Sequence, residues 1–287
     1  MGDEAADILS LSGKFIAEAA AADFEYFFLP GLGPKVPISI EGALHPGIRT
    51  NAEGTRIVIP PDMAADRIDT ADKLFFHLLI LGHEIAHLVH CHGHAGEQER
   101  DDYRSLEYWA DFYGAKVMMT LVIHGRVISR IHRALVPPTT DLFDNLVSIG
   151  NAVGRLVETV YSDDPRYPPK LLRAGLINNG VTSFLRHEIM KGADPIWYYS
   201  VYKRVMGSDA VEELKTFRPE DMAFSDGEID RARNWHRAMQ GDKPAIEPWL
   251  KPQYLNYLHT SFDQTEEERA ESFRQRQDEL RAGGYDV

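Results

Sequence analysis

The amino-acid sequence predicts a mainly helical α+β protein with a small sheet near the N-terminus and a helical C-terminal half. Two short β-branched runs, "VPISI" and "TRIVIP", lie in a stretch rich in Gly and Pro between residues 29 and 60. Beyond this stretch, apolar residues recur with helical spacing through most of the chain. Short β-branched runs between turn residues favour strands, and sustained helical spacing favours helices that bury one face.

The first elements are a helix and two strands. Residues 17–22 are nearly all alanine, which predicts a helix from Ile8 to Tyr26. "VPISI" and "TRIVIP" are the predicted strands, and "NAEG" before the second is typical of a turn. Pro60 and Pro61 should end the second strand, because proline has no amide hydrogen to donate to a sheet.

A long apolar helix is predicted next, from Ala71 to His92. Asp69 or Thr70 can cap its N-terminus, because short polar side chains accept hydrogen bonds from the first free amides. Gly93 is well placed to end the helix, since glycine tolerates the left-handed backbone conformation that often follows a helix.

The rest of the chain is predicted to be helical. The predicted helices run from Ser105 to about Leu135, Leu142 to Val160, Leu171 to Met190, Pro195 to Met206 and Glu228 to Met239, and a charged tail helix starts at the capping box of Thr265 and Glu268. The segment "SDDPRYPPK" interrupts this pattern. It predicts a boundary between a first domain, residues 1–165, and a helical C-terminal region, residues 166–287, which could also pack as part of the same domain.

Composition and charge restrict the class of protein. The 287 residues are 44% hydrophobic and 26% charged, which is typical of a folded chain of one large or two modest domains. A net charge of −13 disfavours nucleic acid and anionic membranes as partners. Cys91 is the only cysteine, and no signal peptide is recognisable, so we expect a cytoplasmic location. No pattern indicates an oligomeric state.

Five of the twelve histidines lie in one stretch, "ILGHEIAHLVHCHGH". It contains the pattern H-E-x-x-H, formed by His83, Glu84 and His87. Two histidines four positions apart lie on one face of a helix and can bind one zinc ion. Glu84 lies beside that face, where it can reach a metal-bound water without being a ligand. The flanking residues are apolar, and buried imidazole and carboxylate groups are costly unless a metal or hydrogen bonds compensate.

A catalytic zinc ion needs a third protein ligand and an open position. The next helix supplies Glu107 and, one turn later, Asp111. We expect Glu107 to be the ligand and Asp111 to fix the tautomer of a ligand histidine, although Asp111 could itself be the third ligand, with Glu107 structural. This pair matters because H-E-x-x-H alone arises by chance in roughly one chain in a hundred of this length.

"HEIAH" followed by "EYWAD" resembles the gluzincin zinc metallopeptidases, with a separation similar to that in thermolysin. The local form "LEYWADFYGAKVM" is similar to minigluzincins and HtpX-type peptidases, to ImmA/IrrE-type regulatory peptidases and to Lit-type phage-exclusion peptidases. The resemblance covers about residues 74–119. It implies a zincin-like catalytic domain in which His83, His87 and Glu107 bind Zn²⁺ and Glu84 is the catalytic base.

The expected function is therefore zinc-dependent hydrolysis of peptide bonds in an intracellular protein substrate. Zinc lowers the pKa of a bound water towards about 7, and Glu84 accepts its proton and later returns it to the leaving amine. The strand "TRIVIP" precedes the motif helix, as the substrate-aligning edge strand does in zincins. A peptide could add to it as an extra strand.

The residue that stabilises the oxyanion is not determined by the motif. A Tyr, His or Arg side chain usually has this role, and the candidates are Tyr103, His124, Tyr161, Tyr167 and Arg173. "RYPPKLLRA" is faintly similar to a proline-plus-arginine segment downstream of the site in some minigluzincins. That similarity favours Tyr167 or Arg173.

Other interpretations remain open. The motif could be a buried hydrogen-bonded network, the site could belong to a regulatory zinc sensor or partner-binding module, or the protein could be a non-peptidase zinc hydrolase. Glu84 favours an enzyme, because a structural zinc site needs no base. The remaining residues of the cluster are expected to form a solvated helix end with a packed thiol: His90, Cys91, His92 and His94.

Overall fold

The computed structural model describes residues 11–43, 45–51, 54–92, 100–137, 140–165, 167–189, 195–215 and 249–259, and a few isolated helical positions after residue 230. The described elements, in chain order, are α1 (Gly13–Tyr26), β1 (Ile38–Ile40), β2 (Gly47–Asn51), β3 (Gly54–Ile59), α2 (Pro61–Ala65), α3 (Ala71–Val89), α4 (Arg100–His124), α5 (Ile128–Leu135), α6 (Leu142–Thr159), α7 (Lys170–Ile189), α8 (Pro195–Val205), α9 (Asp209–Leu214) and, after a 3-10 turn (Pro252–Tyr254), α10 (Leu255–Leu258). The protein is mainly helical with one small N-terminal sheet, which confirms this part of the predicted fold class.

The sheet has three strands in the order β1-β3-β2. β3 pairs in parallel with β1 and antiparallel with β2, and Ile57 faces both Ile38 and Ile48. The expectation that "TRIVIP" forms the edge strand is therefore wrong, because this segment is the central strand and has neighbours on both sides. Among the strands that the structure describes, a peptide could add only to the outer ones, β1 and β2. β2, "GIRTN", was not predicted, because it is short and lies in the stretch rich in Gly and Pro, and its pairing with β3 as the first strand of a hairpin appears only in the fold.

The start of α3 agrees with the prediction, but its end does not. Thr70 caps the helix by accepting a hydrogen bond from the amide of Lys73. The helix ends at Val89, three residues before the predicted end, because Cys91 adopts a left-handed conformation with φ of 58°. The amide of Cys91 donates to the carbonyl of Leu88, which closes the last turn. Gly93, the predicted terminator, lies outside the described residues.

The single helix predicted from Ser105 to about Leu135 is two helices, α4 and α5. The chain bends at residues 125–127, where Gly125 follows the last turn of α4. The carboxylate of Asp23 on α1 accepts hydrogen bonds from the amides of Arg126, Val127 and Ile128 at 2.8–3.1 Å. Asp23 thereby caps α5 from about a hundred residues away, which no local pattern could have predicted.

The C-terminal helices α6, α7 and α8 begin and end within one residue of the predicted bounds. α1 agrees at its end, and the start predicted at Ile8 lies outside the described residues. The predicted helix from Glu228 to Met239 and the tail helix from Thr265 also lie outside them, apart from isolated positions. Among the helices that the structure describes, none combines the length and apolar character needed to cross a membrane.

Candidate metal centre

The site is built where α3 and α4 cross with their backbones in contact. A methyl group on Gly82 would lie 2.3 Å from the carbonyl oxygen of Gly114, and one on Gly114 would lie 2.6 Å from the amide nitrogen of His83. Only glycine permits this approach on both helices. The crossing brings the histidines of α3 against the carboxylates of α4, so the two glycines set the distance between the predicted ligands.

Three predicted ligands point their donor atoms at one another. The Nε2 atoms of His83 and His87 are 2.9 Å apart, and the carboxylate oxygens of Glu107 lie 3.4 Å and 3.3 Å from them. In a tetrahedral zinc site with bonds of about 2.0–2.1 Å, neighbouring ligand atoms are separated by about 3.3 Å. His83, His87 and Glu107 form a group that could hold a metal ion, and no other such group occurs in the described part of the chain.

Each ligand histidine has a hydrogen-bond partner at Nδ1, on the side of the ring away from the group. Nδ1 of His83 lies 2.9 Å from a carboxylate oxygen of Asp111, which can only accept, so this nitrogen carries the hydrogen. Nδ1 of His87 lies 2.7 Å from Nδ1 of His92. When Nδ1 of His87 also carries its hydrogen, the Nε2 lone pairs of the two histidines converge on each other and on Glu107. Lone pairs in such an arrangement repel unless a cation lies between them.

The electrostatics of the group indicate the same need for positive charge. Although burial opposes protonation, the carboxylates of Asp111 and Glu107 raise the pKa of His83 to about 10. Burial also opposes ionisation of Glu107, but the adjacent His87 and His83 hold the pKa of Glu107 well below its ordinary value. Without a metal, a proton on His83 supplies the charge that a bound cation would otherwise supply.

Asp111 lies on the far side of His83, away from the converging atoms. It accepts two hydrogen bonds from Arg173 on α7, at 2.6 Å from Nε and 3.1 Å from an Nη atom. The guanidinium also lies 3.3 Å from Glu107 and 4.0 Å from the ring centre of Tyr161. This geometry favours Glu107 as the third ligand and Asp111 as the carboxylate that orients His83. It does not favour Asp111 as the ligand.

Glu84 lies next to the converging group without belonging to it. It is only 8% exposed and borders the same cavity as the three donors. Burial raises the pKa of Glu84, and Glu107 contributes in the same direction, whereas His83 and His87 oppose the shift. A carboxyl group whose pKa lies above its ordinary value is suited to accept a proton and return it.

A cavity of about 350 Å³ opens beside the group. Its walls come from the β2 segment, from α3 and α4 and from the C-terminal helices α6 and α7, and the lining residues are His45, Pro46, Gly47, Ile48, Leu79, Ile80, His83, Glu84, His87, His92, Leu106, Glu107, Asp111, Leu156, Val160, Tyr161, Ser162, Tyr167, Arg173 and Ile177. Much of this wall is aliphatic. The segment 45–48 and the aliphatic residues of α6 and α7 had no signal in the sequence, because only the tertiary packing brings them to the site.

The five oxyanion candidates are in different places. Tyr161, Tyr167 and Arg173 border the cavity. His124 instead lies 3.4 Å from Glu188 at the other end of α7, and the side chain of Tyr103 lies outside the described part. Because Arg173 is buried and engaged with Asp111, its position favours a supporting role. The assignment of an oxyanion stabiliser remains a prediction.

The expectation of a solvated helix end is wrong for His90 and His92, which are each only 6% exposed. The indole nitrogen of Trp109 donates to Nε2 of His90 at 2.9 Å, and Nδ1 of His90 lies 2.7 Å from the carbonyl oxygen of Ala86. Burial lowers the pKa of His90 to about 3, so it is neutral. Cys91 is half-buried, and His94 lies outside the described residues.

Comparison with known proteins finds no family model, no curated protein and no solved structure that matches this chain.

Proposed function

We propose that the protein is a zinc-dependent peptidase with a zincin-like catalytic domain. The observation that carries the proposal is that three metal-binding side chains converge: two imidazoles and one carboxylate. A further acidic side chain, Glu84, lies beside them at the cavity wall. Two histidines and one carboxylate are a typical ligand set for catalytic zinc, whereas structural zinc sites usually have four protein ligands. The described residues contribute only these three.

A zinc ion held by His83, His87 and Glu107 would act as a Lewis acid on a substrate carbonyl and make a water molecule more acidic. Glu84 is the residue that moves protons: its carboxylate accepts one from the attacking water and returns it to the leaving nitrogen. Aliphatic side chains of α6 and α7 border the same cavity as Glu84. A substrate that filled this cavity would displace water from Glu84 and strengthen the electrostatic interactions around it.

A peptide substrate fits the surroundings of the group. β2 is an edge strand of the sheet, and Ile48 within it borders the cavity. An extended peptide that pairs with β2 would therefore pass the cavity, with one side chain against the aliphatic wall. The edge strand favours a peptidase over other zinc hydrolases. The cytoplasmic location and the protein substrate remain predictions.

Two features favour an enzyme over a zinc sensor. A site that only binds metal gains nothing from a buried carboxyl group beside its ligands, because burying such a group costs free energy. The cavity also leaves space for a substrate next to Glu84. In a structural zinc site, a fourth protein ligand would fill the coordination position that here faces the cavity.

The test combines metal analysis with one substitution. The purified protein should contain about one zinc ion per chain, and His83→Ala should abolish binding. Glu84→Gln should retain zinc and lose cleavage of a peptide library, by roughly 10²–10⁴-fold if Glu84 moves protons. Glu158→Gln, at an exposed position on α6, is the matched control and should cleave like the wild type. Cleavage by Glu84→Gln at the wild-type rate would refute the peptidase proposal, and absence of zinc would refute the metal site.

A further inference from the structure

We propose that His92 is a positioning residue that holds the metal ligand His87 in the tautomer needed for binding. This inference rests on the proposed function. The two Nδ1 atoms are 2.7 Å apart, so one of them donates a hydrogen and the other accepts it. If Nε2 of His87 is to offer its lone pair to zinc, Nδ1 of His87 is the donor and Nδ1 of His92 is the acceptor.

His92 reaches this place only because the helix has ended. In a continuous α-helix, residues five positions apart are rotated by about 140° around the axis, so His92 would lie away from His87. The left-handed conformation of Cys91, with φ of 58°, turns the chain back towards the ligand. The imidazole of His92 is then buried behind His87 at 6% exposure.

A second buried histidine, His90, packs beside His92. The rings of His90 and His92 have their centres 5.5 Å apart. Both nitrogens of His90 are engaged, with Ala86 of its own helix and with Trp109 of α4. Trp109 lies two positions after Glu107, so the histidine layer connects the end of α3 to the helix that carries the third ligand.

The two ligand histidines thus have unlike partners. His83 donates to the carboxylate of Asp111, whereas His87 donates to a neutral imidazole. A carboxylate raises the basicity of a ligand imidazole more than a neutral acceptor does. The neutral partner orients His87 without adding a further negative charge to a buried cluster that already contains Glu107 and Asp111.

The test measures zinc affinity by competition with a chromogenic chelator. His92→Phe keeps an aromatic ring but removes the acceptor, and zinc affinity should fall about 10–100-fold. His92→Gln restores an acceptor and should recover most of that loss. His187→Phe, the same substitution at the C-terminal end of α7, should bind like the wild type. The absorption spectrum of the Co²⁺-loaded protein should change in His92→Phe and in neither of the other two variants.

A measurement on the unchanged chain guards against misfolding of the variants. Long-range ¹H–¹⁵N spectra of the zinc-loaded wild type should show His87 protonated at Nδ1 and coordinated through Nε2. Coordination through Nδ1, or a His92→Phe variant with wild-type affinity and cobalt spectrum, would overturn the inference while the zinc site remained. A wild-type chain that binds no zinc would overturn the proposed function and this inference with it.

Discussion

At the scale of single residues, two carboxylates of the site share a single arginine. Glu107 and Asp111 are buried and held ionised, whereas Arg173 contributes the one permanent positive charge in contact with both of them. Burying an unpaired charge is strongly unfavourable, so such a cluster needs a cation or an extra proton. The raised pKa of His83 shows where that proton would bind. A divalent metal at the converging lone pairs would meet the same need.

The neighbouring His90 leads to a prediction about pH. Burial lowers its pKa to about 3 in the folded protein from an ordinary value of 6.5, so the unfolded chain binds this proton more readily. Stability from His90 is therefore fully present above about pH 6.5 and is lost as pH falls towards 3. Between pH 7 and pH 5 the loss should be about 2 kcal/mol, because each pH unit below 6.5 costs about 1.36 kcal/mol.

Urea unfolding of the metal-free protein at several pH values between 5 and 7 measures this effect. His90→Gln should unfold with a free energy that falls less steeply in acid than that of the wild type. His45→Gln is the matched substitution at an exposed position. Equal pH dependence in wild type and His90→Gln would show that His90 is not held neutral by its burial and by Trp109.

At the scale of elements, the sequence predicted the features that depend on neighbouring residues. It did not predict those that depend on contacts between distant residues. The start of α3 follows from Thr70, and the ligand face follows from the spacing of His83 and His87, both of which are local in sequence. The end of α3 depends on the left-handed backbone of Cys91, a conformation that glycine or asparagine would have indicated but cysteine does not. The break between α4 and α5 depends on Asp23, and strand β2 depends on β3. The helices and the ligand pattern could thus be predicted from the sequence. The cavity walls and the contact of His92 with His87 could not, because they depend on the fold.

The crossing of α3 and α4 gives an element-scale prediction. Gly114→Ala would place a methyl group 2.6 Å from the amide nitrogen of His83, so the helices must separate. We expect a loss of about 1–3 kcal/mol in unfolding free energy, typical of overpacking, and weaker zinc binding because Glu107 moves away from the histidines.

Gly175→Ala on α7 is the matched control, because no atom lies within 4 Å of the added methyl group. It should gain about 0.5–1 kcal/mol, since alanine favours a helix more than glycine does, and zinc affinity should not change. Thermal unfolding and chelator competition on the three proteins measure both quantities. If Gly114→Ala behaved like Gly175→Ala, the close crossing would not determine the ligand distances.

At the scale of the whole molecule, the site joins the two predicted halves of the chain. The candidate ligands and base lie before residue 165, whereas Arg173 and Ile177 come from α7, which follows it. Arg173 contacts Asp111 and Glu107 directly, so a change at the ligands acts on a C-terminal helix. The boundary near residue 165 remains a prediction, but the site does not belong to the first half alone.

Removal of zinc should therefore loosen α7 as well as α3 and α4. Zinc at a hundred times its Kd stabilises the folded chain by about 2.7 kcal/mol, so a chelator should lower the midpoint of thermal unfolding. Without the cation, the charges of Glu107 and Asp111 rest on Arg173 and a protonated histidine alone. Amide hydrogen exchange should accelerate around residues 83–87, 107–111 and 173–177 on chelation, because local opening there becomes less costly.

Glu84→Gln, which keeps the proposed ligands, should respond like the wild type, and His87→Ala should not respond to chelator. Exchange that accelerated in α3 and α4 but not in α7 would mean that Arg173 does not transmit the loss of metal to the C-terminal half.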